Sequence, residues 1–520
     1  MESAHMNLTA LLQAQAYAHP VRDLRAVETH ISWVLLTGDY AYKIKKPVNL
    51  GFVDFSTLEL RRHACQDELR LNRRYAPQLY LDVVPITGSG ERPRVGGTGE
   101  PFEYAVKMSQ FAQDQQLDRL LDAGRLGMHE MDTLGEAIGA LHAAAPVAGA
   151  GSPYGWPARI QRDAQDNLDA LRAGTDDALR ASVAELLTWT HAQNHRLLGT
   201  MHARRSGGHV REVHGDLHLA NLVRLGAAIV PFDCIEFNEA LRWNDTISDL
   251  AFLTMDLRAR RRPDLAYRVL GRYLEVSGDY AGLRLLRYYE VYRALVRAKV
   301  ALIRRDGSAG AEHAAQQREL ERYLALARAL AAAERRALVL MHGLSGSGKT
   351  WLSTRLSSAL PAVRTRSDLE RKRLHGLGEA ERSASAVNAG IYSAQASAQT
   401  YERLAVIAQE ILDAGETAIV DAAFLRRAER ARFRELAREL AVPLAIVSCS
   451  APHEKLRRRV ELRAQRGADA SEADREVLEH QFAAAEPLGD DERPGALQIS
   501  TADCTDVTAV ALRLQHMLFT

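Results

Sequence analysis

The sequence predicts two different folds in one chain: an α+β domain of two lobes, followed by an α/β domain with a parallel sheet. Strand-like and helical stretches over about residues 25–110 give way to a largely helical region that runs to about residue 330. A glycine-rich turn at Gly343–Thr350 then follows an apolar strand and opens onto a helix. A chain of 520 residues is also too long for a single hydrophobic core. We therefore expect one domain over residues 1–330, with lobes at about 25–110 and 111–330, and a second over 337–520.

The first lobe is predicted from strands that surround one amphipathic helix. The strands are expected at His30–Leu36, Asp39–Ile44, Leu79–Ile86 and Glu103–Met108, with a glycine-rich turn over Gly88–Gly99 and a helix over Thr57–Arg74. The second strand carries Lys43 and Lys45, and the helix carries Glu68. Strands, one helix and further strands form the order of a small nucleotide-clamping lobe.

A second informative stretch is His214–Asn221, which reads His-Gly-Asp-Leu-His-Leu-Ala-Asn. Asp216 and Asn221 have the spacing of a kinase catalytic loop, where the aspartate accepts the proton of the substrate hydroxyl and the asparagine binds metal. Asp233 ends a short apolar strand twelve residues further on, where a second metal-binding aspartate is expected. Phosphoryl transfer needs such groups because its transition state spreads negative charge over oxygens.

The glycine-rich turn has the composition of a phosphate-binding loop. Its glycines let the backbone N–H groups point inward, and the following helix N-terminus adds positive potential. Lys349 is expected to reach the outer phosphates, and Thr350 to hold Mg²⁺. The predicted nucleotide-binding residues of this loop are Gly343, Ser345, Gly346, Ser347, Gly348, Lys349 and Thr350.

Further polar residues follow the predicted strands of the second domain. Asp368 comes after the strand Ala362–Ser367 and is the predicted catalytic base, with a helix N-cap as the alternative. Asp421 ends the strand Thr417–Val420 and is expected to hold Mg²⁺ through water. After a strand at Ala445–Ser448 come several arginines at helical spacing. Three of them, Arg459, Arg463 and Arg466, are predicted to form a lid over the phosphates, with a solvated helix face as the alternative.

Two other groups of charged residues are open to two interpretations. Glu236, Glu239 and Asp245 could bind a cationic substrate or form a solvated loop, and the sequence favours neither. Arg293, Arg297 and Lys299 lie at helical spacing, and we interpret them as the solvated face of a long helix. The alternative places them on the substrate pocket or on the contact with the second domain.

Composition points to small-molecule partners. The chain has 67 basic and 66 acidic residues, and neither predicted domain carries the positive excess that nucleic-acid binding requires. The four scattered cysteines lack metal-ligand spacing and indicate a reduced, cytoplasmic protein. Residues 1–5 show no export pattern, and no apolar run is long enough for a membrane span, so we expect neither.

Residues from about 25 to 330 resemble the aminoglycoside phosphotransferase family, relatives of protein kinases that phosphorylate small molecules. The match is carried by His214–Asn221 and by Asp249 in Ser-Asp-Leu-Ala. The resemblance implies a bilobal protein-kinase-like fold in which Asp216 is the base, Asn221 and Asp233 hold Mg²⁺, Lys43 meets the α/β-phosphates and Glu68 orients that lysine. Lys45 is the alternative to Lys43. The adenine is expected near Met108–Phe111. The chain departs from the pattern because no glycine-rich loop is visible beyond Gly38 and because Cys-Ile-Glu follows Asp233, which leaves GTP open beside ATP.

Residues 337–481 resemble the small P-loop kinases, which include gluconate kinase, chloramphenicol phosphotransferase, zeta toxin and polynucleotide 5′-kinase. The resemblance is carried by the P-loop, Ser-Asp-x-x-Arg-Lys, Val-Asp-Ala and the arginines. The pairing of both domains resembles proteins described as bifunctional aminoglycoside phosphotransferase/ATP-binding protein. It implies two ATP- and Mg²⁺-dependent kinase sites acting on hydroxyl groups of small molecules. The alternatives are a regulatory nucleotide switch and a toxin-like or polynucleotide kinase in the second domain. The acceptors and the oligomeric state do not follow from the sequence.

Overall fold

The computed structural model describes residues 7–49, 53–332, 334–383, 385, 389–466 and 470–520. Its contacts divide the chain into two compact units. The first unit consists of Met1–Ile160 and His202–Leu253, and the second of Gln161–Met201 and Thr254–Thr520. The domain bounds 1–330 and 337–520 remain a prediction.

An antiparallel sheet of six strands forms the first part of the first unit. The strands are β1 (Arg25–Glu28), β2 (Ser32–Leu36), β3 (Tyr40–Lys45), β4 (Tyr80–Ser89), β5 (Arg92–Val95) and β6 (Glu103–Ser109), in the spatial order β1-β2-β3-β6-β4-β5. A short helix α1 (Leu8–Leu11) precedes the sheet, and α2 (Leu58–Asn72) packs on β4 and β6. The hydroxyl of Thr57 accepts the Leu60 N–H and caps α2 at its start.

The sequence did not reveal β1 or β5. β1 exposes three of its four residues, so it lacks the alternation that marks a half-buried strand. β5 reads Arg-Pro-Arg-Val and lies within the stretch predicted to be a glycine-rich turn over Gly88–Gly99. Its pairing with β4 extends that hairpin to Ser89. The observed turn is therefore shorter than the one that the sequence predicted.

The rest of the first unit combines helices with two short antiparallel strand pairs. The elements are α3 (Leu117–Asp122), α4 (Met128–Ala144), β7 (Val210–Glu212), β8 (Leu222–Leu225), β9 (Ala228–Pro231), α7 (Glu239–Arg242) and β10 (Trp243–Asp245). Three helices continue past the bounds of the unit: α5 (Pro157–Gly174), α6 (Asp177–Ser206) and α8 (Thr246–Ala259). Residues 213–221 lie between β7 and β8, and Asp233 follows β9, so both strand pairs present predicted site residues.

The second unit contains a parallel sheet of five strands. These are β11 (Leu338–His342), β12 (Val363–Arg366), β13 (Ala418–Asp421), β14 (Leu444–Ser450) and β15 (Ala496–Ser500), in the spatial order β12-β13-β11-β14-β15. The central strand β11 buries four successive residues because helices cover both faces of a parallel sheet. Its helices are α9 (Pro263–Ser277), α10 (Leu283–Asp306), α11 (Gly310–Ala332), α12 (Lys349–Ala359), α13 (Ser367–Leu374), α14 (Ala394–Asp413), α15 (Arg427–Glu439), α16 (His453–Arg466), α17 (Arg475–Ala484) and α18 (Val507–Phe519).

The interpretation of α10 as a helix with a solvated basic face is wrong. Arg293 is buried, and Arg297 and Lys299 are half-buried. Both α11 and α14 pack against α10, so the helix has little surface left for solvent. The Lys299 Nζ donates a hydrogen bond to Asn167 Oδ1 at 3.2 Å.

Among the described residues, no helix is both long and apolar enough to cross a membrane. The four cysteines carry free thiols, and Cys504 alone among them is exposed.

Candidate active sites

Lys43 lies at the centre of an ion-pair cluster in the first unit. Its Nζ is 2.8 Å from Glu68 Oε1 and also contacts the Asp233 carboxylate. Burial lowers the pKa of Lys43, but Asp233 and Glu68 outweigh this and raise the pKa well above its ordinary value. The predicted lysine, glutamate and metal-binding aspartate are thus brought together from β3, α2 and the segment after β9.

Lys45 occupies the same face of β3 two residues on, because alternate residues of a strand point to the same side. Its Nζ is 2.5 Å from Glu68 Oε2 and contacts Glu236, and its side chain is fully buried. Lys43, unlike Lys45, lines the neighbouring cavity. The geometry therefore favours Lys43 as the phosphate lysine.

The loop between β7 and β8 is held by Asp249. Its Oδ2 accepts the His214 N–H at 3.2 Å, and its Oδ1 accepts the Gly215 N–H at 2.8 Å. Asn221 Nδ2 donates to the backbone oxygen and to Oδ2 of Asp216, both at 3.0 Å. The predicted base and the predicted metal-binding asparagine are therefore direct neighbours on a loop that a buried carboxylate fixes.

Two residues missed by the sequence analysis hold Asp233. Its φ of 61° is unusual for a residue other than glycine, and its N–H donates to the Tyr80 hydroxyl at 2.9 Å. The next N–H, of Cys234, donates to Asn72 Oδ1 at 3.0 Å. Tyr80 and Asn72 are more than 150 residues away in sequence and follow no motif, so no local signal could have indicated them.

A cavity of about 300 Å³ in the first unit is lined by several of the predicted groups, but not by Asp216 or Glu68. Lys43, Asn221 and Asp233 line one side, and the predicted adenine-binding residues Met108–Phe111 contribute to the rest. Val27 of β1 and Thr29 of the turn between β1 and β2 also border the cavity. This turn was not recognised because it contains no glycine; Gly38, at φ 102°, lies instead in the turn between β2 and β3.

The acidic residues after Asp233 fit neither of the two interpretations fully. Glu236 is buried against Lys45, and Asp245 is buried against Arg204, with Arg204 Nε at 2.6 Å from its Oδ2. Glu239 is exposed and pairs with Arg242 at 3.0 Å. Two of the three carboxylates are therefore engaged in buried ion pairs, and one lies at the surface.

In the second unit, the phosphate-binding loop is shaped by close backbone approach. Gly343 has φ 137°, and a Cβ at this position would lie 2.3 Å from the Cys449 carbonyl oxygen. Gly346 and Gly348 also have positive φ, which favours glycine. Lys349 Nζ donates to the Leu344 carbonyl oxygen at 2.9 Å, and burial lowers the pKa of this lysine.

Thr350 and Asp421 lie behind the loop. β13 pairs with β11 in a register that sets Asp421 beside Met341, and Ser353 Oγ donates to Asp421 Oδ2 at 2.9 Å. Hydroxyl and carboxylate oxygens are the ligands that Mg²⁺ prefers. Thr350 with Asp421 here, and Asn221 with Asp233 in the first unit, therefore fit such a cation by their chemistry. Among the described residues, no group of three or more His, Cys, Asp or Glu side chains could hold a metal ion by itself.

Asp368 borders the same cavity as the phosphate-binding loop. This cavity measures about 390 Å³, and the predicted residues lining it are Ser345, Gly346, Gly348, Lys349, Thr350, Asp368, Asp421, Arg459 and Arg463. β12 ends at Arg366, so Asp368 lies in the first turn of α13 rather than at the end of the strand. Its side chain does not cap that helix. Arg371 Nη1 is 3.8 Å from its Oδ1.

The predicted lid arginines differ in what they contact. Arg459 Nη1 donates to the Gly346 carbonyl oxygen at 3.2 Å, and Arg463 Nη2 donates to the Ala473 carbonyl oxygen at 2.8 Å. The side chain of Arg466 lies outside the described residues. Gln481 on α17 was not predicted, yet its Oε1 accepts the Ser345 N–H at 2.8 Å and closes the loop from the far side.

Comparisons with known proteins match a described domain family in the C-terminal part of the chain and relatives over most of its length. Residues 338–488 match the family model described as AAA domain. Uncharacterized proteins of Mycobacterium tuberculosis H37Rv and Mycobacterium bovis are each 30% identical to this chain over 460 residues, which cover 87% of this chain and 90% of theirs.

Solved structures show weaker likenesses. A choline/ethanolamine kinase family protein from Mesorhizobium loti is 16% identical over 60% of this chain and 94% of its own, with a TM-score of 0.37. A putative kinase from Chloroflexus aurantiacus is 22% identical over 35% of this chain and 98% of its own, with a TM-score of 0.29. These likenesses are too weak to assign an activity. The extent of the mycobacterial match does show kinship: the chain belongs to one family with those proteins.

Proposed function

We propose that this protein is a tandem phosphotransferase that uses two separate sites. Each site transfers the γ-phosphoryl group of ATP, or of GTP in the N-terminal site, to a hydroxyl group of a small molecule. The proposed setting is the cytoplasm, without nucleic-acid or membrane partners. One observation supports the proposal above all: each unit has its own cavity bordered by a lysine and by oxygen ligands suited to Mg²⁺.

In the first unit, the acceptor hydroxyl would be oriented by Asp216, which Asn221 holds by its hydrogen bonds. The acceptor oxygen forms a bond to the γ-phosphorus, the bond from that phosphorus to the β-phosphate oxygen breaks, and ADP leaves. The hydroxyl proton passes to the Asp216 carboxylate. Asn221 and Asp233 would hold Mg²⁺, which supplies positive charge for the transferring phosphate. Glu68 keeps Lys43 beside the cavity.

In the second unit, Asp368 would take the equivalent proton. A carboxylate beside a triphosphate repels it, so its place on this cavity is better explained by a task in transfer than by nucleotide binding alone. Thr350 and Asp421 would hold Mg²⁺, and Arg459 and Arg463 border the space where the phosphates are expected. A regulatory switch would need the nucleotide but no acceptor base.

The test uses the full chain, isotope-labelled ATP and a metabolite extract as the source of acceptors. Asp216→Asn and Asp368→Ala should each lower the rate at which one set of labelled products forms by about 10²-fold or more. A positioned base contributes to the rate on that scale. Nucleotide affinity should stay nearly unchanged in both, or improve in Asp368→Ala. The exposed residues Asp82 and Asp503 provide matched controls as Asp82→Asn and Asp503→Asn.

Two results would contradict the proposal. If Asp216→Asn transferred phosphate at the full rate, Asp216 would not have the role assigned to it in the first site. Full transfer by Asp368→Ala would favour the regulatory switch for the P-loop domain.

A further inference from the structure

A buried ion pair connects α9 to the strand beside the P-loop. Arg364 lies on β12 and is 8% exposed, and its Nη2 is 2.5 Å from Oε1 of Glu275, which is 6% exposed near the end of α9. Burial raises the pKa of Glu275, but Arg364 and neighbouring arginines outweigh this and leave it below its ordinary value. The lowered pKa favours the charged form of Glu275 in the interior of the second unit.

The other end of the Arg364 guanidinium reaches the helix that follows the P-loop. Its Nη1 donates to the Thr350 carbonyl oxygen at 3.3 Å and to Ser353 Oγ at 3.2 Å, and it also contacts the Thr354 hydroxyl. Ser353 in turn donates to Asp421. Arg364 therefore stands directly behind Thr350 and Asp421, the two residues expected to hold Mg²⁺.

Asp421 is also an alternative partner for Arg364. Its Oδ2 lies 3.9 Å from Arg364 Nη1. A buried guanidinium that lost its carboxylate would be drawn to another one, because an unpaired buried charge is strongly unfavourable. Without Glu275, Arg364 would therefore compete with a cation for Asp421.

The end of α9 is held in place for this role. Arg373 on α13 donates to the Glu275 carbonyl oxygen at 2.5 Å. Arg268 on α9 donates through Nη1 to the Thr354 carbonyl oxygen at 3.3 Å. These contacts fix α9 against both α12 and α13, so Glu275 cannot easily follow Arg364 if the latter moves.

We infer that Glu275 is a positioning residue of the P-loop site. By pairing with Arg364 it keeps that guanidinium against Thr350 and Ser353 and leaves Asp421 available to Mg²⁺. The inference rests on the proposal that the P-loop binds a nucleotide with Mg²⁺, and it holds whether or not phosphate is then transferred.

The test measures binding of a non-hydrolysable ATP analogue to the full chain by calorimetry over a range of Mg²⁺ concentrations. The P-loop site is identified as the component of binding that Lys349→Ala removes. Glu275→Gln should raise the Mg²⁺ concentration for half-maximal binding by about tenfold or more, as loss of a residue that orients metal ligands commonly does. Affinity without Mg²⁺ should stay within about twofold, since Glu275 does not border the cavity. Glu275→Asp, which keeps the charge, should give an intermediate value.

Asp413→Asn is the matched control. Asp413 on α14 pairs with Arg284 on α10 at 2.9 Å, so it also ties the helices before the P-loop to the P-loop sheet region, but it lies away from Thr350. It should leave the Mg²⁺ requirement unchanged. An unchanged requirement in Glu275→Gln, or an equal rise in Asp413→Asn, would overturn the inference. If Glu275→Gln does not fold, Glu275→Asp decides in the same way. A parent chain without P-loop binding would instead refute the proposed function.

Discussion

The lysines of the two sites lie in opposite electrostatic surroundings. Lys43 and Lys45 are in contact with Glu68, Asp233 or Glu236, whereas Lys349 donates to a backbone oxygen. Carboxylates raise the pKa of Lys43, while burial lowers that of Lys349. The lysines of the first site thus have carboxylate partners within the protein, and the second site has a half-buried cation that a bound phosphate would neutralise. Lys45 should therefore support the fold of the first unit, whereas Lys349 should matter for ligand binding in the second.

Substituting a lysine in each unit should show the largest difference. Lys45→Met leaves Glu68 and Glu236 buried without one of their cations, and should lower the free energy of unfolding by about 3–5 kcal/mol. Lys349→Met removes a half-buried charge for which the described part of the chain shows no ion pair, and should change stability by less than about 1 kcal/mol. Denaturant unfolding of both variants without nucleotide measures this. Equal losses would mean that the two surroundings are equivalent.

Binding should show the reverse dependence. The intact chain is expected to bind a non-hydrolysable ATP analogue with Mg²⁺ at two sites, as seen by calorimetry. Lys349→Ala should weaken one of them by about 10–100-fold, since hydrogen bonds to charged groups contribute about 1.5–3 kcal/mol. The other site should keep its affinity because each unit has its own cavity. A single site in the intact chain would contradict the prediction.

Two histidines, the buried His214 and the half-buried His342, extend the comparison to pH. Burial lowers the pKa of both, but Asp249 and Asp216 face His214, whereas Arg430 and Lys349 face His342 and bring its pKa to about 4. The unfolded value is about 6.5. As pH falls below 6.5, His342 takes up a proton in the unfolded chain first, so stability is lost down to about pH 4. Between pH 6.5 and 5 the loss is about 2 kcal/mol.

Unfolding at pH 7 and pH 5 measures this effect. His342→Gln should lose less stability over this range than the parent, by about 2 kcal/mol. If the parent and the variant lose the same amount, His342 is not the group that titrates.

The two sites also differed in how far the sequence could predict them. The P-loop, Asp421 and the lid arginines each follow a strand of the parallel sheet, so strand order and spacing were enough to predict that they meet at one edge of it. The first site draws on β3, α2, the loop after β7 and the segment after β9. Its central residues were predicted because the catalytic loop has a characteristic pattern.

The supporting contacts could not be predicted in either unit. These contacts join residues that are far apart in the sequence, and no local pattern marks the residues that make them. They are the contacts of Tyr80, Asn72, Gln481 and the pair Glu275–Arg364. Lys43 and Lys45 lie on one face of β3, so the sequence could not distinguish them. In the structure Lys43 lines the cavity, whereas Lys45 is fully buried. The burial of Arg293 was missed because helical spacing alone does not show how many neighbours cover a helix.

The buried pair Glu275–Arg364 also bears on how the gene could have evolved. If the gene were split just before β11, the two residues would lie on different polypeptides. Arg364 would then face the place that α9 had filled. A P-loop protein released in this way would keep Arg364 without its carboxylate, and breaking a buried pair in this manner costs about 3–5 kcal/mol. Fusion of the two parts is therefore easier to acquire than to reverse, and descendants of this chain should tend to keep both parts on one polypeptide.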